Sequence, residues 1–120
     1  MSEEKLKELP LENGLMLCVV DCSRPISADA FLVKLRFEVE VVLTEALAAS
    51  LGKTLFEVKD ILKNEALTFT AEVERNFISA ADAEGVKEGL VSSYIETNRS
   101  YLGHEKFATG FLRREMAKAP

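Results

Sequence analysis

Tryptophan is absent from this chain, histidine occurs once and cysteine only twice in 120 residues. A single histidine, His104, rules out a multi-histidine metal site and leaves one candidate general base, with no nucleophile beside it in sequence. Cys18 and Cys22 lie four apart on or just beyond an expected strand, where extended geometry would separate their Cα atoms by about 13 Å, too far for a disulfide. They are expected to be small, semi-buried thiols, and no metal is expected. No apolar run approaches the roughly eighteen residues of a membrane span. The opening MSEEKLKE is charged where a signal peptide needs an apolar core, so a cytoplasmic protein without a membrane partner is expected. There is also no phosphate loop, no nucleophile elbow, no dinucleotide fingerprint and no calcium loop, so no cofactor is expected.

What the chain does have is ordinary for a globular domain: 48% apolar and 29% charged residues and a net charge of -5. The acidic balance disfavours nucleic acid, whose affinity comes from Lys and Arg neutralising phosphates. The balance is uneven. From Arg99 onward the chain carries Arg99, Lys106, Arg113, Arg114 and Lys118 against Glu105 and Glu115, a local +3 that leaves -8 for the first 98 residues. A basic end of this kind can meet an acidic body, its own or a second copy's.

The strongest pattern runs from Phe31 to Val42, FLVKLRFEVEVV. Phe31, Val33, Leu35, Phe37, Val39 and Val41 alternate with Lys34, Arg36, Glu38 and Glu40. A period of two sorts side chains onto opposite faces of a strand, so one face is dry and the other charged. Leu67 to Phe77 repeats the logic, with Leu67, Phe69, Ala71 and Val73 on one register and Thr68, Thr70, Glu72 and Glu74 on the other. Pairing of the two would set Lys34 and Arg36 against Glu72 or Glu74. Earlier, Asn13-Gly14 divides two apolar runs and suggests a type I′ hairpin with a short first arm ending at Pro10, and a second arm over Leu15 to Val20.

Helical signals follow the central strand. Thr44 to Ser50 is helix-forming with Gly52 as a stop, and Thr54 and Glu57 stand at capping-box spacing before a second short helix to Leu62. From Ser79 to near the end, helical periodicity persists through Val86, Leu90, Val91, Tyr94 and Ile95, then Tyr101, Leu102, Ala108, Phe111, Leu112 and Met116. One straight helix of that length would overrun so small a sheet, so either it breaks near Gly103 or its far half packs on another chain. Gly85, Gly89, Gly103 and Gly110 fall in this region, and glycine in a helix needs a reason such as a close crossing or a break. The expected architecture is α+β: a mostly antiparallel sheet of three or four strands with helices on one face, forming a single domain over 9–120 after a flexible start over 1–8.

The polar loop Asp21 to Asp29 gathers Asp21, Ser23, Arg24 and Asp29, which could either cap a turn or surround an anion. Asp21-Cys22-Ser23 resembles the Asp-x-Ser portion of PilZ-type cyclic-dinucleotide receptors. Ile26 stands where that motif has glycine, and no Arg-x-x-x-Arg precedes it, so family membership does not follow. Arg75 falls on the otherwise apolar register after Val73, where a charge needs a partner. Two function classes follow. The first is a non-catalytic interaction or regulatory module that self-associates through its glycine-rich helices or long strand. The second is a binding domain for an anionic small molecule, or a small enzyme, with Arg24, Asp29, Arg75 and His104 as candidate anchors between sheet and helices.

Overall fold

The computed structural model describes residues 3–119. The chain order is β1 (Glu4–Pro10), β2 (Met16–Asp21), β3 (Arg24–Pro25), β4 (Ala30–Val42), α1 (Glu45–Ser50), α2 (Leu55–Leu62), β5 (Ala66–Ser79), α3 (Ala83–Leu102) and α4 (Phe107–Lys118). All strand pairs are antiparallel. β2 and the two-residue β3 share one edge of β4, and β5 takes the other edge along its full length. β1 pairs only with β2, so β1 and β5 are the outer strands. The architecture is α+β, as the alternation and helical periodicities imply.

The period of two in β4 works as sequence reasoning requires. Val33, Leu35, Phe37, Val39 and Val41 are fully buried under the helices. Lys34, Arg36, Glu38 and Glu40 turn to the opposite, charged face. Residues 4–8, expected in a mobile start, instead belong to β1. Backbone hydrogen bonding to β2 holds them although most of their side chains are exposed. The hairpin between β1 and β2 also differs from expectation. Gly14 alone takes a positive φ, of 87°, and its N–H bonds the Leu11 carbonyl, so the loop is a three-residue type with a left-handed last position rather than a type I′ turn.

Asn13 is thereby free for another task. Its amide donates to the backbone carbonyls of Leu102 (2.9 Å) and His104 (3.1 Å), tying the hairpin tip to the junction of α3 and α4. Of the two alternatives for the long helical region, a break near Gly103 or packing of its far half on another chain, the chain takes the break, and the packing explains the glycine. A Cβ there would lie 3.1 Å from the Arg99 carbonyl and 3.3 Å from the Glu12 nitrogen. Thr54 and Glu57 form the capping box that starts α2.

The core is concentrated toward one end. Leu17, Val19, Leu35, Phe37, Val39, Val41, Ala48, Val58, Leu102, Phe107, Phe111 and Leu112 form one cluster beneath α1, α2 and α4, and it reaches no further along β4 than Leu35. Phe69 meets Phe107 and Phe111 edge-on at 5.4 and 5.9 Å, geometry that suits the ring quadrupoles. The result is a long, thin molecule of 54 × 29 × 19 Å. Its radius of gyration is 17.1 Å, against about 13.6 Å for a compact domain of this length.

Candidate functional site

At the other end of the sheet, the start of β4 and the end of β5 are covered by α3 alone. α3 lays Tyr94 flat on Phe37, with ring centroids 3.8 Å apart. Along the rest of its stripe, Val86, Leu90, Val91 and Ile95 are only half-buried, and the buried residues of this twenty-residue helix are Ala83 and Leu102 at its ends. A polar contact fixes this half. Lys87 of α3 reaches Asp21 of β2 at 2.9 Å, with the two side chains only 16% and 12% exposed. Burial pushes the Asp21 carboxyl upward, but hydrogen bonds from Ser23 and Lys87 outweigh it and hold the group below its ordinary value. Burial likewise pulls the Lys87 ammonium down, and Asp21 and Glu84 reverse that and raise it. Nothing in the Gly-Val-Lys-Glu-Gly context of Lys87 signals this pairing, which exists only because the chain folds α3 back across β2.

β5 is a fourteen-residue outer strand whose far edge is unpaired among the described residues. Such an edge is a template for pairing, and a bulge or charge commonly blunts it. Here both occur. Glu72, Glu74 and Arg75 are exposed, and the register shifts where Asn76 and Phe77 oppose β4 between Phe31 and Val33. Phe77 adopts φ 57° and is 80% exposed. Phe77 also forms one wall of a shallow cavity of about 430 Å³, whose other walls are Ile78, Ser79, Ala81, Asp82, Gly85 and Val86. A Cβ placed on Gly85 or Gly89 would meet nothing within 4 Å, so these two glycines face open space rather than a crossing within the chain.

The charged face of the sheet carries a second cluster. Glu3 binds Arg36 with both carboxylate oxygens at 2.8 Å, and Glu38 takes the guanidinium from its own strand at 2.7 Å. The hydrogen bonds and charge of Arg36 pull the Glu3 carboxyl down to about 2. Lys34 reaches Glu72 at 3.5 Å, the cross-strand pairing that the registers suggest. Cys22 lies among these groups, and both cysteines are free thiols whose pKa values burial raises.

The four anchors expected from sequence do not gather in one place. Arg24 is on β3 beside Leu32, on the charged face, where it lines a cavity of about 360 Å³ with Lys34 and Arg36. Asp29 is exposed in the turn before β4, and its backbone carbonyl accepts from the Ala80 N–H. Arg75 stands opposite Val33 on the helix-covered face and donates to the Glu74 carbonyl at 2.8 Å, with no carboxylate partner among the described residues. His104 is exposed in the loop between α3 and α4, its Nδ1 accepting from the Lys106 N–H at 3.0 Å. That loop adjoins the hairpin tip, at the opposite end of β4 from Leu32 and roughly 25 Å away at the rise of a strand. Asp21 does cap its turn, accepting from the Ser23 N–H at 2.9 Å, but its cation is Lys87 rather than Arg24. Among the described residues no group of three or more His, Cys, Asp or Glu is arranged to hold a metal, and no helix is long and apolar enough to cross a membrane. No family model, no curated protein and no solved structure matches this chain.

Proposed function

We propose that this chain is a non-catalytic interaction or regulatory module that acts as a self-associated assembly. The observation that carries the reading is α3, whose apolar stripe packs on the core through Leu90, Val91, Tyr94 and Ile95 yet is only partly buried along a helix of twenty residues. A helix gains most of its stability in a protein by burying an apolar face, so a half-covered stripe on the longest helix supports completion by another surface. Size and shape agree. The chain exposes 7440 Å², about 1,000 Å² more than area scaling gives for a compact monomer of its mass. A standard interface covers about 800 Å² on each partner. Size-exclusion chromatography with light scattering tests this directly. A mass above 13.3 kDa that grows with concentration is expected, and a monomer at every concentration overturns the reading.

A second reading, binding of a small anionic ligand, draws on the charged face. Arg24 has no carboxylate partner among the described residues; its cavity also holds Lys34 and Arg36, already paired with Glu72 and Glu3, and Glu74. Arg75 and His104 lie elsewhere, so this reading now rests on Arg24. A thermal-shift screen of carboxylate and phosphate metabolites checks it: a stabilisation lost in Arg24→Ala supports it, and no stabilisation by any anion removes it.

A further inference from the structure

We infer that the self-association proposed above, on which this inference rests, is a two-fold contact in which Phe77 of each copy enters the cavity beside Gly85 of the other. Phe77 is out of place in a monomer on two counts. Its ring is 80% exposed, and its φ of 57° lies in the left-handed region that a bulky side chain disfavours. Within the chain its ring only borders the shallow cavity it shares with Gly85 and Val86, and four-fifths of it stays in water. A position of this kind in an outer strand would suit glycine or asparagine, and an aromatic there is the residue type that anchors interfaces.

The receptor for such an anchor lies on the same patch. The cavity that Phe77 borders has further apolar walls in Ile78, Ala81 and Val86, and Gly85 leaves the α3 backbone bare where a second copy's ring would approach it. When projection and cavity share one patch, a two-fold axis satisfies both copies at once and the assembly closes as a dimer. Charges on this end of the molecule, Asp82 on the cavity wall and Arg75 two residues before Phe77 on β5, agree with a second copy as the occupant. Arg75 has no carboxylate partner, and Asp82 has no cation, only the Ser79 hydroxyl at 3.0 Å, among the described residues. Across a two-fold axis each can meet its opposite, which favours a copy of this chain over an uncharged partner. The surplus exposed area of about 1,000 Å² is of the size one side of a stable dimer covers.

Sedimentation equilibrium on four proteins separates the outcomes. Wild type is expected to dimerise. Phe77→Gly removes the ring while accepting the local φ, and Gly85→Leu fills the cavity where no neighbouring atom obstructs it, so both monomers remain folded, as circular dichroism verifies. Each is expected to raise the dimer dissociation constant at least about tenfold. Phe56→Ser serves as control, because Phe56 is 78% exposed on α2 at the other end of β5. It is expected to dimerise like wild type. If wild type associates and both Phe77→Gly and Gly85→Leu associate equally well, or Phe56→Ser is the variant that dissociates, this interface is wrong and self-association stands. If wild type is monomeric at its highest soluble concentration, both fall. The charge pair is tested separately: Arg75→Asp weakens the dimer, and adding Asp82→Arg restores it.

Discussion

The two ends of the sheet are built from the same strands and covered differently. At the end where β4 runs from Phe37 to Val41, three helices and the hairpin tip enclose a cluster in which Leu17, Val19, Phe37, Val39, Val41, Leu102 and Leu112 are fully buried. At the other end a single helix covers Val33 and Leu35, and the ring of Phe77 stands in water. Apolar burial is the main favourable term in folding, so stability is concentrated at the first end. The second end buries Val33 and Leu35 but leaves the α3 stripe partly uncovered and Phe77 exposed. Interaction surfaces are drawn from the less stable parts of a structure for this reason.

Mutations can break or sharpen that contrast. The largest effect is expected at the packed end: Leu112→Ala leaves a cavity in the cluster and should cost about 3 kcal/mol, whereas Val86→Ala, on the half-buried stripe, should cost well under half of that. Chemical denaturation of the two variants measures the difference, and equal losses would erase the distinction between the ends. Gly103→Val tests the hairpin seat. Its Cβ would press on backbone atoms of Arg99 and Glu12, which cannot rotate away, so a loss of about 2 kcal/mol is expected.

Lys87→Met removes the ion pair that fastens the open end and should cost about 1.5 kcal/mol near neutral pH. Its pH dependence has a definite sign. Asp21 titrates lower when folded, so its contribution is present above its ordinary value of 3.8 and is lost as pH falls through the depressed folded value. Lys87 titrates higher when folded, so its contribution is present below 10.5 and is lost as pH rises through the raised folded value. The gap between wild type and Lys87→Met is therefore widest across the neutral range and closes at both extremes. A gap independent of pH would assign the effect to packing of the lysine stem instead. The smallest effect has the opposite sign. Measured at dilution, Phe77→Gly should stabilise the monomer by about 1 kcal/mol, because glycine occupies a positive φ without steric cost.

Much of the fold was legible because it depends on local periodicity. Alternation in β4 and β5 and the capping box at Thr54 each rest on neighbours within a few residues, whereas the break near Gly103 is one of two alternatives in the sequence and is decided by the hairpin tip seated on it. The candidate surface was less legible. Arg75 stands out in the sequence as a charge on an apolar register, and it has no carboxylate partner among the described residues, yet nearby Phe77 reads simply as the last residue of a strand. The bulge that turns Phe77 outward arises from a register mismatch with β4, and no pattern within β5 encodes it. The Asp21–Lys87 pair was hidden for the same kind of reason, since its partners are far apart in sequence. Residues 4–8, expected in a mobile start, lie in β1, since charge suggests solvation while backbone pairing with β2 needs no apolar side chain.

By itself, then, the sequence determined the α+β class, the antiparallel long strands, which face of each is dry, and where the helices start and stop, since steric alternation and capping act locally. Tertiary structure alone decided that the core gathers at one end, that Gly103 seats a hairpin, and that Gly85, Phe77 and Arg75 share the other end. Those outcomes depend on how distant segments meet in space, and no local preference specifies a meeting.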